Sequence, residues 1–294
     1  MATVAGTVAE IRRLLQDRPV RARLDGAISS TTTETFAVDS GEEALFKVGE
    51  LWEHDDANGA TTSTSSEQRR IISVSGSTIT AERGYNSSTA ATHADNTYLI
   101  KEPRWTYDRV YAAMNAVLRV DLLQNGVFEI VSHEVTSNVG STTYDAPTAL
   151  CERILDIYQY VTSGQPTSQI SGFTQYRTVD SDVSATGKEF QILENRGVPG
   201  TAVYYINCVH PLQVTTLASR QEFLLHMGAA AYLLGWEEPR RTAGPTNQGD
   251  RTVQPGRQAQ LASYYRNEFL RLLRQEKQYL KRLSPPRREY LGRR

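Results

Sequence analysis

Residues 71–93 read Ile-Ile-Ser-Val-Ser-Gly-Ser-Thr-Ile-Thr-Ala-Glu-Arg-Gly-Tyr-Asn-Ser-Ser-Thr-Ala-Ala-Thr-His. Ile72 and Val74 alternate with polar neighbours, a Ser-Gly pair interrupts the run, and Ile79 and Ala81 resume the alternation. Alternation on both sides of a turn-forming pair is typical of a tight antiparallel hairpin. The stretch therefore predicts a compact β module.

The residues that follow the hairpin indicate a sharp turn. Gly84 permits a positive φ after Arg83, because glycine has no Cβ to clash with the backbone. Tyr85 is then able to lie across the sheet, and Asn86 is able to cap the bend. Upstream, the run from Phe46 to Trp52 alternates in the same way around a central glycine. Together these patterns predict a small barrel or sandwich.

This order of motifs resembles a β module of the head-to-tail connector (adaptor) proteins of tailed bacteriophages. The shared phrase is Phe-x-Val-Gly-Glu-Leu-Trp at residues 46–52, then the apolar hairpin, then Arg-Gly-Tyr-Asn-Ser-Ser-Thr-Ala-Ala-Thr-His at residues 83–93. The resemblance covers roughly residues 36–100 and does not extend to the polar stretch from His54 to Ser66. It implies a structural motif, with the histidine bonded to the turn, made of Arg83, Gly84, Tyr85, Asn86 and His93.

The whole chain predicts an α+β fold, with a helical body of about three long helices plus a short N-terminal one and two β-rich insertions. Apolar stripes at three- and four-residue steps mark the helices, and alternating runs between Gly- and Pro-rich turns mark the second β region. The predicted segments are an N-terminal helix at 1–19, a β-barrel or sandwich at 20–103, a helix at 104–125, a second β region at 126–210, a helical pair at 211–283 and a flexible docking tail at 284–294.

Charge divides the chain into two parts of opposite sign. From Arg251 onward there are twelve Arg or Lys and three Glu, a net charge of +9, and the whole chain carries −1, so the first 250 residues carry −10. A negative ring wall lets duplex DNA slide without sticking, because it repels the phosphates, although a solvated acidic surface explains the same charge. Basic arms bind nucleic acid or acidic protein surfaces.

The C-terminal residues combine this positive charge with apolar side chains. A Pro-Pro pair ends the last predicted helix, and arginines then flank a tyrosine and a leucine. Arginines bind carboxylates bidentately, and buried aromatic anchors supply much of the affinity of protein interfaces. A solvated helix face is the alternative interpretation. We predict docking onto a phage portal through Arg282, Arg287, Arg288, Tyr290, Leu291, Arg293 and Arg294.

Catalytic and metal-binding patterns are weak in this sequence. It contains neither a Gly-rich phosphate loop followed by Lys-Ser/Thr nor a Gly-x-Ser-x-Gly motif. His54-Asp55-Asp56 and His133-Glu134 contain metal-ligand residue types, but neighbouring strand residues point to opposite faces. Cys151 and Cys208 lie far apart without metal-ligand spacing, and we expect both to be buried without a disulfide. We therefore expect no enzyme activity, no metal site and no cofactor.

The composition, with 39% hydrophobic and 22% charged residues, is that of a globular protein. No stretch approaches the ~18 to 20 apolar residues that span a bilayer, and the first residues lack the basic and apolar regions of a signal peptide. We expect synthesis in the host cytoplasm and no membrane partner.

The resemblance implies that a helical body forms a ring while β insertions and loops project to neighbours and toward the tail. The predicted function is a structural virion protein at the neck, between capsid and tail. Its expected partners are the portal, a tail or tail-terminator (stopper) protein, further copies of itself, which the resemblance puts at twelve, and passing double-stranded DNA without sequence-specific binding. The alternative is a distal tail module that binds host-surface carbohydrate. A tail-associated hydrolase has no sequence pattern in its favour.

Overall fold

The computed structural model describes residues 3–15, 20–55, 66–136, 143–160, 168–170, 172–175, 177–178, 184, 186–193, 203–241 and 257–283. The chain divides into two compact units. Unit 1 comprises Met1–Asp121 and Gln213–Arg294, and unit 2 comprises Leu122–Leu212. In the part of the chain that the structure describes, no helix combines the length and apolar composition needed to cross a membrane.

Unit 1 contains a six-stranded antiparallel sheet in the spatial order β1-β6-β3-β4-β5-β2. A bridge between Leu24 and Val38 joins the two outer strands, so the sheet closes on itself as a small barrel. The strands are β1 Arg21–Arg23, β2 Thr35–Ala37, β3 Leu51–His54, β4 Gln68–Ser75, β5 Thr78–Glu82 and β6 Tyr98–Lys101.

Apolar side chains fill the interior of this barrel. Phe46 stacks on Trp52 with ring centroids 3.9 Å apart, and Ile79 and Leu99 are fully buried. The pairing of β4 with β5 shifts register between Ile71 and Ser73. Because such an irregularity changes which side chains face inward, Ile71 is buried whereas Ile72 is exposed.

Four α-helices complete unit 1. The third helix packs against the other three, and its contacts with the fourth are the most extensive. The second helix continues past its α-helical part as π-helical turns over Val117–Leu122. The helices are α1 Val4–Leu14, α2 Tyr107–Ala116, α3 Ser219–Arg241 and α4 Arg257–Leu283.

Unit 2 is built from two further antiparallel sheets. The four-stranded sheet has the order β10-β9-β13-β7, and the three-stranded sheet has the order β11-β12-β8. One apolar cluster, which includes Ile157, Phe190 and Ile206, is shared by both sheets. The strands are β7 Glu129–Thr136, β8 Thr143–Asp145, β9 Arg153–Tyr160, β10 Ser168–Ile170, β11 Arg177–Thr178, β12 Lys188–Gln191 and β13 Val203–His210.

The predicted fold class was wrong. The described chain is a mixed protein with four α-helices and three antiparallel sheets, rather than a helical body of three long helices with β insertions. Two physical reasons account for the error. The apolar period from Tyr107 to Leu122 predicted one long helix, but its α-helical part ends at Ala116. The sheets also have their own buried cores, so they are main structural layers of the protein rather than additions to a helical one.

Gly228 sets how closely the helices of unit 1 approach one another. A Cβ at this position of α3 would lie 2.7 Å from Val117 Cγ2 and 3.0 Å from the Phe269 ring. We expect Gly228→Ala to lower the free energy of unfolding by about 1–3 kcal/mol, because the packed helices must separate. Urea unfolding followed by tryptophan fluorescence measures the change.

Gly235 on the same helix is the matched control, since a Cβ there would meet no atom within 4 Å. Gly235→Ala is expected to leave stability unchanged or to raise it by up to about 1 kcal/mol, because alanine is the better helix former. Equal effects of the two substitutions would contradict the close approach at Gly228.

Candidate functional site

The predicted turn motif lies in unit 1 at the end of the β4-β5 hairpin. Gly84 has φ +62°, and a Cβ there would lie 2.9 Å from the carbonyl oxygen of Ser88. Asn86 also has a positive φ, and its Nδ2 donates to Gln68 Oε1 at 3.0 Å. The Tyr85 ring lies on the outside of the turn, 5.7 Å from the guanidinium carbon of Arg70. Because a Cβ at position 84 would lie so close to the Ser88 carbonyl oxygen, any residue other than glycine there would force the turn to open.

Arg83 reaches from this turn into the barrel. Its Nε and NH2 donate to the two carboxylate oxygens of Glu67 at 2.8 and 2.7 Å. The same guanidinium donates to the backbone carbonyls of Ser30, Thr33 and Ala91. One side chain thus connects the hairpin to two loops of the barrel.

Glu67 is the centre of this cluster and is fully buried. Besides Arg83, it contacts His93 Nε2 at 2.8 Å and accepts hydrogen bonds from Arg69 NH2 at 3.2 Å and the Ala91 backbone N–H at 3.1 Å. Burial alone raises the pKa of Glu67, but the hydrogen bonds from Arg83 and His93 outweigh burial and hold that pKa well below its usual range. The carboxylate is therefore ionised and fully used in cross-linking the barrel.

His54 lies beside this cluster with its ring stacked on that of His93. The ring centroids are 3.4 Å apart and the planes differ by 4°. Burial, the neighbouring His93 and the charge of Arg69 lower the pKa of His54 well below its usual value, so this imidazole is neutral. We call these five residues, namely His54, Glu67, Arg69, Arg83 and His93, the barrel cluster.

The barrel cluster contains three potential metal ligands, His54, Glu67 and His93, within reach of one ion. Two guanidinium groups, those of Arg69 and Arg83, already neutralise the only carboxylate among them. Adding a divalent cation would place excess positive charge in a buried site, which is strongly unfavourable. The geometry therefore supports a structural role for this cluster.

A second buried network joins the barrel to the helices of unit 1, and no motif in the sequence indicated it. Arg12 of α1 is 1% exposed and forms an ion pair with Glu53 of β3. Its Nε donates to the carbonyl of Trp105 at 2.8 Å and its NH1 donates to Asp55 at 3.3 Å. The backbone N–H of Tyr107, the first residue of α2, donates a hydrogen bond to both carboxylate oxygens of Glu53. The N···Oε1 and N···Oε2 distances are 3.0 and 3.2 Å. A strand carboxylate therefore caps a helix N-terminus and holds another helix by a salt bridge.

In unit 2 the structure brings together side chains that the sequence analysis treated separately. His133 of β7 and His210 of β13 approach with Nε2 atoms 3.1 Å apart, and Cys151 Sγ lies 3.2 Å from His210 Nε2. Cys208, also on β13, lies beside Cys151 and lowers the pKa of its thiol. We call these four residues the Cys-His cluster.

The hydrogen bond from Cys208 is the main cause that lowers the pKa of the Cys151 thiol well below its usual range, and burial opposes it. Smaller contributions come from hydrogen bonds with Thr148 and His210. Two imidazole nitrogens and the sulfur of Cys151 lie within 4.8 Å of one another, and these are ligand types of zinc. Sequence spacing does not reveal the cluster, because its segments lie far apart in the sequence and come together only in the folded sheet.

The predicted docking residues fall at the end of the described chain. Arg282 lies in the last turn of α4, its side chain is not among those the structure describes, and Arg287, Arg288, Tyr290, Leu291, Arg293 and Arg294 lie outside the described residues. The described part of α4 exposes Tyr264, Leu270 and Tyr279, while Phe269 is buried. The helix that leads to the predicted tail therefore has apolar and aromatic side chains on its exposed surface.

No protein-family model matches the chain, and no curated protein sequence matches it.

Proposed function

We propose that this protein is a structural component of the neck of a tailed bacteriophage, where copies form a ring that connects the portal to the tail around the DNA passage. The observation that carries the proposal is the placement of the phrase that resembles the connector module. Arg83, Gly84 and His93 from that phrase are committed to holding a closed barrel together, which is the structural use that the resemblance implies.

The division of charge supports assembly into a ring. Identical subunits in a closed ring make heterologous contacts, so each copy needs two different complementary surfaces. The first 250 residues carry −10 and the remainder carries +9. An acidic surface of one copy and a basic helix or tail of its neighbour or of the portal satisfy this requirement.

The exposed surface of α4 supports a protein partner. Tyr264 and Tyr279 are 59% and 42% exposed, and Leu270 lies between them in the sequence. The guanidinium of Arg220 lies 3.8 Å from the Tyr279 ring centroid. Tyrosine and arginine are enriched at the centres of protein interfaces, whereas Lys and Glu are depleted there.

The Arg12–Glu53 network supports a role that requires mechanical rigidity. It fixes α1 and the start of α2 to strand β3 through buried, charge-assisted hydrogen bonds. Such bonds are roughly twice as strong as neutral ones. A rigid connection between barrel and helices suits a subunit that stands between a capsid and a tail.

Removal of residues 284–294 is expected to abolish binding to purified portal rings while leaving the protein folded. The deletion removes four arginines, one tyrosine and one leucine of the predicted tail. Co-sedimentation with portal rings measures the binding, and circular dichroism checks the fold.

A matched pair of full-length variants separates charge from arginine geometry in the tail. Changing the four arginines to lysine keeps the charge but removes bidentate bonding, and changing them to glutamine removes both. We expect partial loss with lysine and complete loss with glutamine. Unchanged docking of the truncated chain would refute the tail as the portal-binding element.

Electron microscopy of virions tests the proposed location itself. Gold-labelled antibody against the protein is expected at the vertex that joins capsid and tail. Label at the distal end of the tail would instead favour the host-surface binding module, and absence of label from the neck would end the connector proposal.

A further inference from the structure

The Cys-His cluster of unit 2 has the spacing of a metal site. The ligand atoms of His133, Cys151 and His210 all lie within 4.8 Å of one another. Ligands held about 2.0–2.3 Å from a tetrahedral zinc ion are separated from one another by roughly 3.3–3.8 Å. The observed separations of 3.1 and 3.2 Å at His210 need only small side-chain shifts to accommodate an ion.

We propose that His133, Cys151 and His210 bind one Zn²⁺ ion. Cys151 is fully buried and His210 is 6% exposed. Two histidines and one cysteine supply the nitrogen and sulfur ligands that zinc prefers. Cys208 precedes His210 by two residues on β13 and lies on the same face of the strand, but its sulfur is not among the three atoms that lie within 4.8 Å of one another.

The surroundings of the cluster are compatible with a cation. The ammonium group of Lys188 lies close to the cluster, and its Nζ donates to the carbonyl oxygens of Ala149 and Cys151 at 3.0 and 2.9 Å. Lys188 also pairs with Glu152 at 3.3 Å, so its charge is compensated. This differs from the barrel cluster, where two arginines hold the carboxylate that a metal would need.

The site joins segments that are distant in the sequence. His133 lies on β7, His210 lies on β13, and Cys151 lies two residues before β9. A bound ion would link two strands of the four-stranded sheet and the segment that leads into a third through side chains, in addition to the backbone ladder. Three protein ligands leave the fourth tetrahedral position of the ion to water or another ligand. The inference is independent of the proposed place of the protein in the virion.

Metal analysis of the full-length protein tests the proposal. Protein purified under reducing conditions and dialysed without chelator is expected to contain one zinc per chain by mass spectrometry of the metal. After removal of zinc, addition of Co²⁺ is expected to give the visible absorption bands of tetrahedral cobalt with sulfur-to-metal charge transfer. Protein without zinc and without these bands would overturn the proposal.

Variants assign the ligands. Cys151→Ser and His210→Asn are each expected to weaken Zn²⁺ binding about a hundredfold or more in competition with a chelating dye. His226→Asn is the control, because that histidine belongs to unit 1 and to neither cluster. Should a ligand variant fail to fold, the Co²⁺ spectrum of the wild-type chain decides. Equal zinc affinity of Cys151→Ser and wild type, or a Cys151–Cys208 disulfide in the reduced preparation, would refute the site.

Discussion

Glu67→Gln is expected to lower the free energy of unfolding of unit 1 by about 3–5 kcal/mol, which is the usual cost of breaking a buried ion pair from one side. Glu67, Arg69 and Arg83 are all buried. Glutamine keeps the size of the side chain but removes its charge, so the guanidinium groups of Arg69 and Arg83 both lose the Glu67 carboxylate with which they pair. The backbone N–H of Ala91 and the ring of His93 also lose a charged acceptor.

Urea unfolding monitored by tryptophan fluorescence measures this effect in the right part of the protein. Trp52, Trp105 and Trp236 are the three tryptophans of the chain, and all belong to unit 1. Glu10→Gln is the matched control, since Glu10 pairs with Arg13 on the surface with both side chains at least half exposed. Exposed pairs contribute about 1 kcal/mol or less. A loss at Glu67 no larger than that at Glu10 would show that the cluster does not hold the barrel together.

Replacement of both Glu67 and Arg83 by apolar residues removes one charge of each sign from the barrel cluster. The free energy of unfolding of this double variant is compared with that of Glu67→Gln. Where a buried charge network is removed as a whole, much of the cost disappears, because no charge is left unpaired. Arg69 would remain charged here, so the double variant Glu67→Leu, Arg83→Met is expected to stay less stable than wild type. Its stability relative to Glu67→Gln shows how much of the loss comes from the charge of Arg83 once the Glu67 carboxylate is gone.

Local sequence signals predicted the elements that depend on neighbouring residues. The turn at Gly84 follows from the absence of a Cβ, and the structure has the positive φ that the sequence indicated. Apolar stripes predicted a helical pair at 211–283, and the structure has α3 Ser219–Arg241 and α4 Arg257–Leu283 within this range. In both cases the interactions that decide the structure are a few residues apart.

The sequence did not predict features that depend on pairing between distant segments. Glu67 was not singled out, because nothing local distinguishes a glutamate that meets Arg83 and His93 from one on the surface. The same holds for His133, Cys151 and His210, which strand pairing alone brings together. The buried face of β4 was also not evident, because a register shift exchanges the roles of Ile71 and Ile72.

Acidification is expected to destabilise unit 1 from pH ~6.5 downward, because the folded protein holds His54 neutral. The folded protein keeps His54 neutral because burial and its charged neighbours lower its pKa well below 6.5, the ordinary value that the unfolded chain regains. Below pH ~6.5 the unfolded chain therefore binds a proton that the folded chain does not. Stability contributed by the neutral side chain is thus present above pH ~6.5 and is lost as the pH falls.

Other groups add to the profile, so the prediction concerns the difference between two proteins. The pKa of His226 is also lowered by burial and acts in the same direction, whereas burial raises the pKa of Glu53 and acts in the opposite direction. The low pKa of Glu67 adds a further loss of stability only below its ordinary value of 4.5. Replacement of His54 alone leaves these contributions in both profiles.

His54→Phe keeps a planar ring that can stack on His93 but removes the titrating group. As the pH falls below ~6.5, we expect the free energy of unfolding of wild type to fall more steeply than that of His54→Phe in urea unfolding followed by tryptophan fluorescence. The physical reason is that burial and the neighbouring His93, Arg69 and Arg83 disfavour a charged imidazole, and together they outweigh the attraction of the Glu67 carboxylate. Parallel profiles for the two proteins would mean that His54 is not held neutral in the folded barrel.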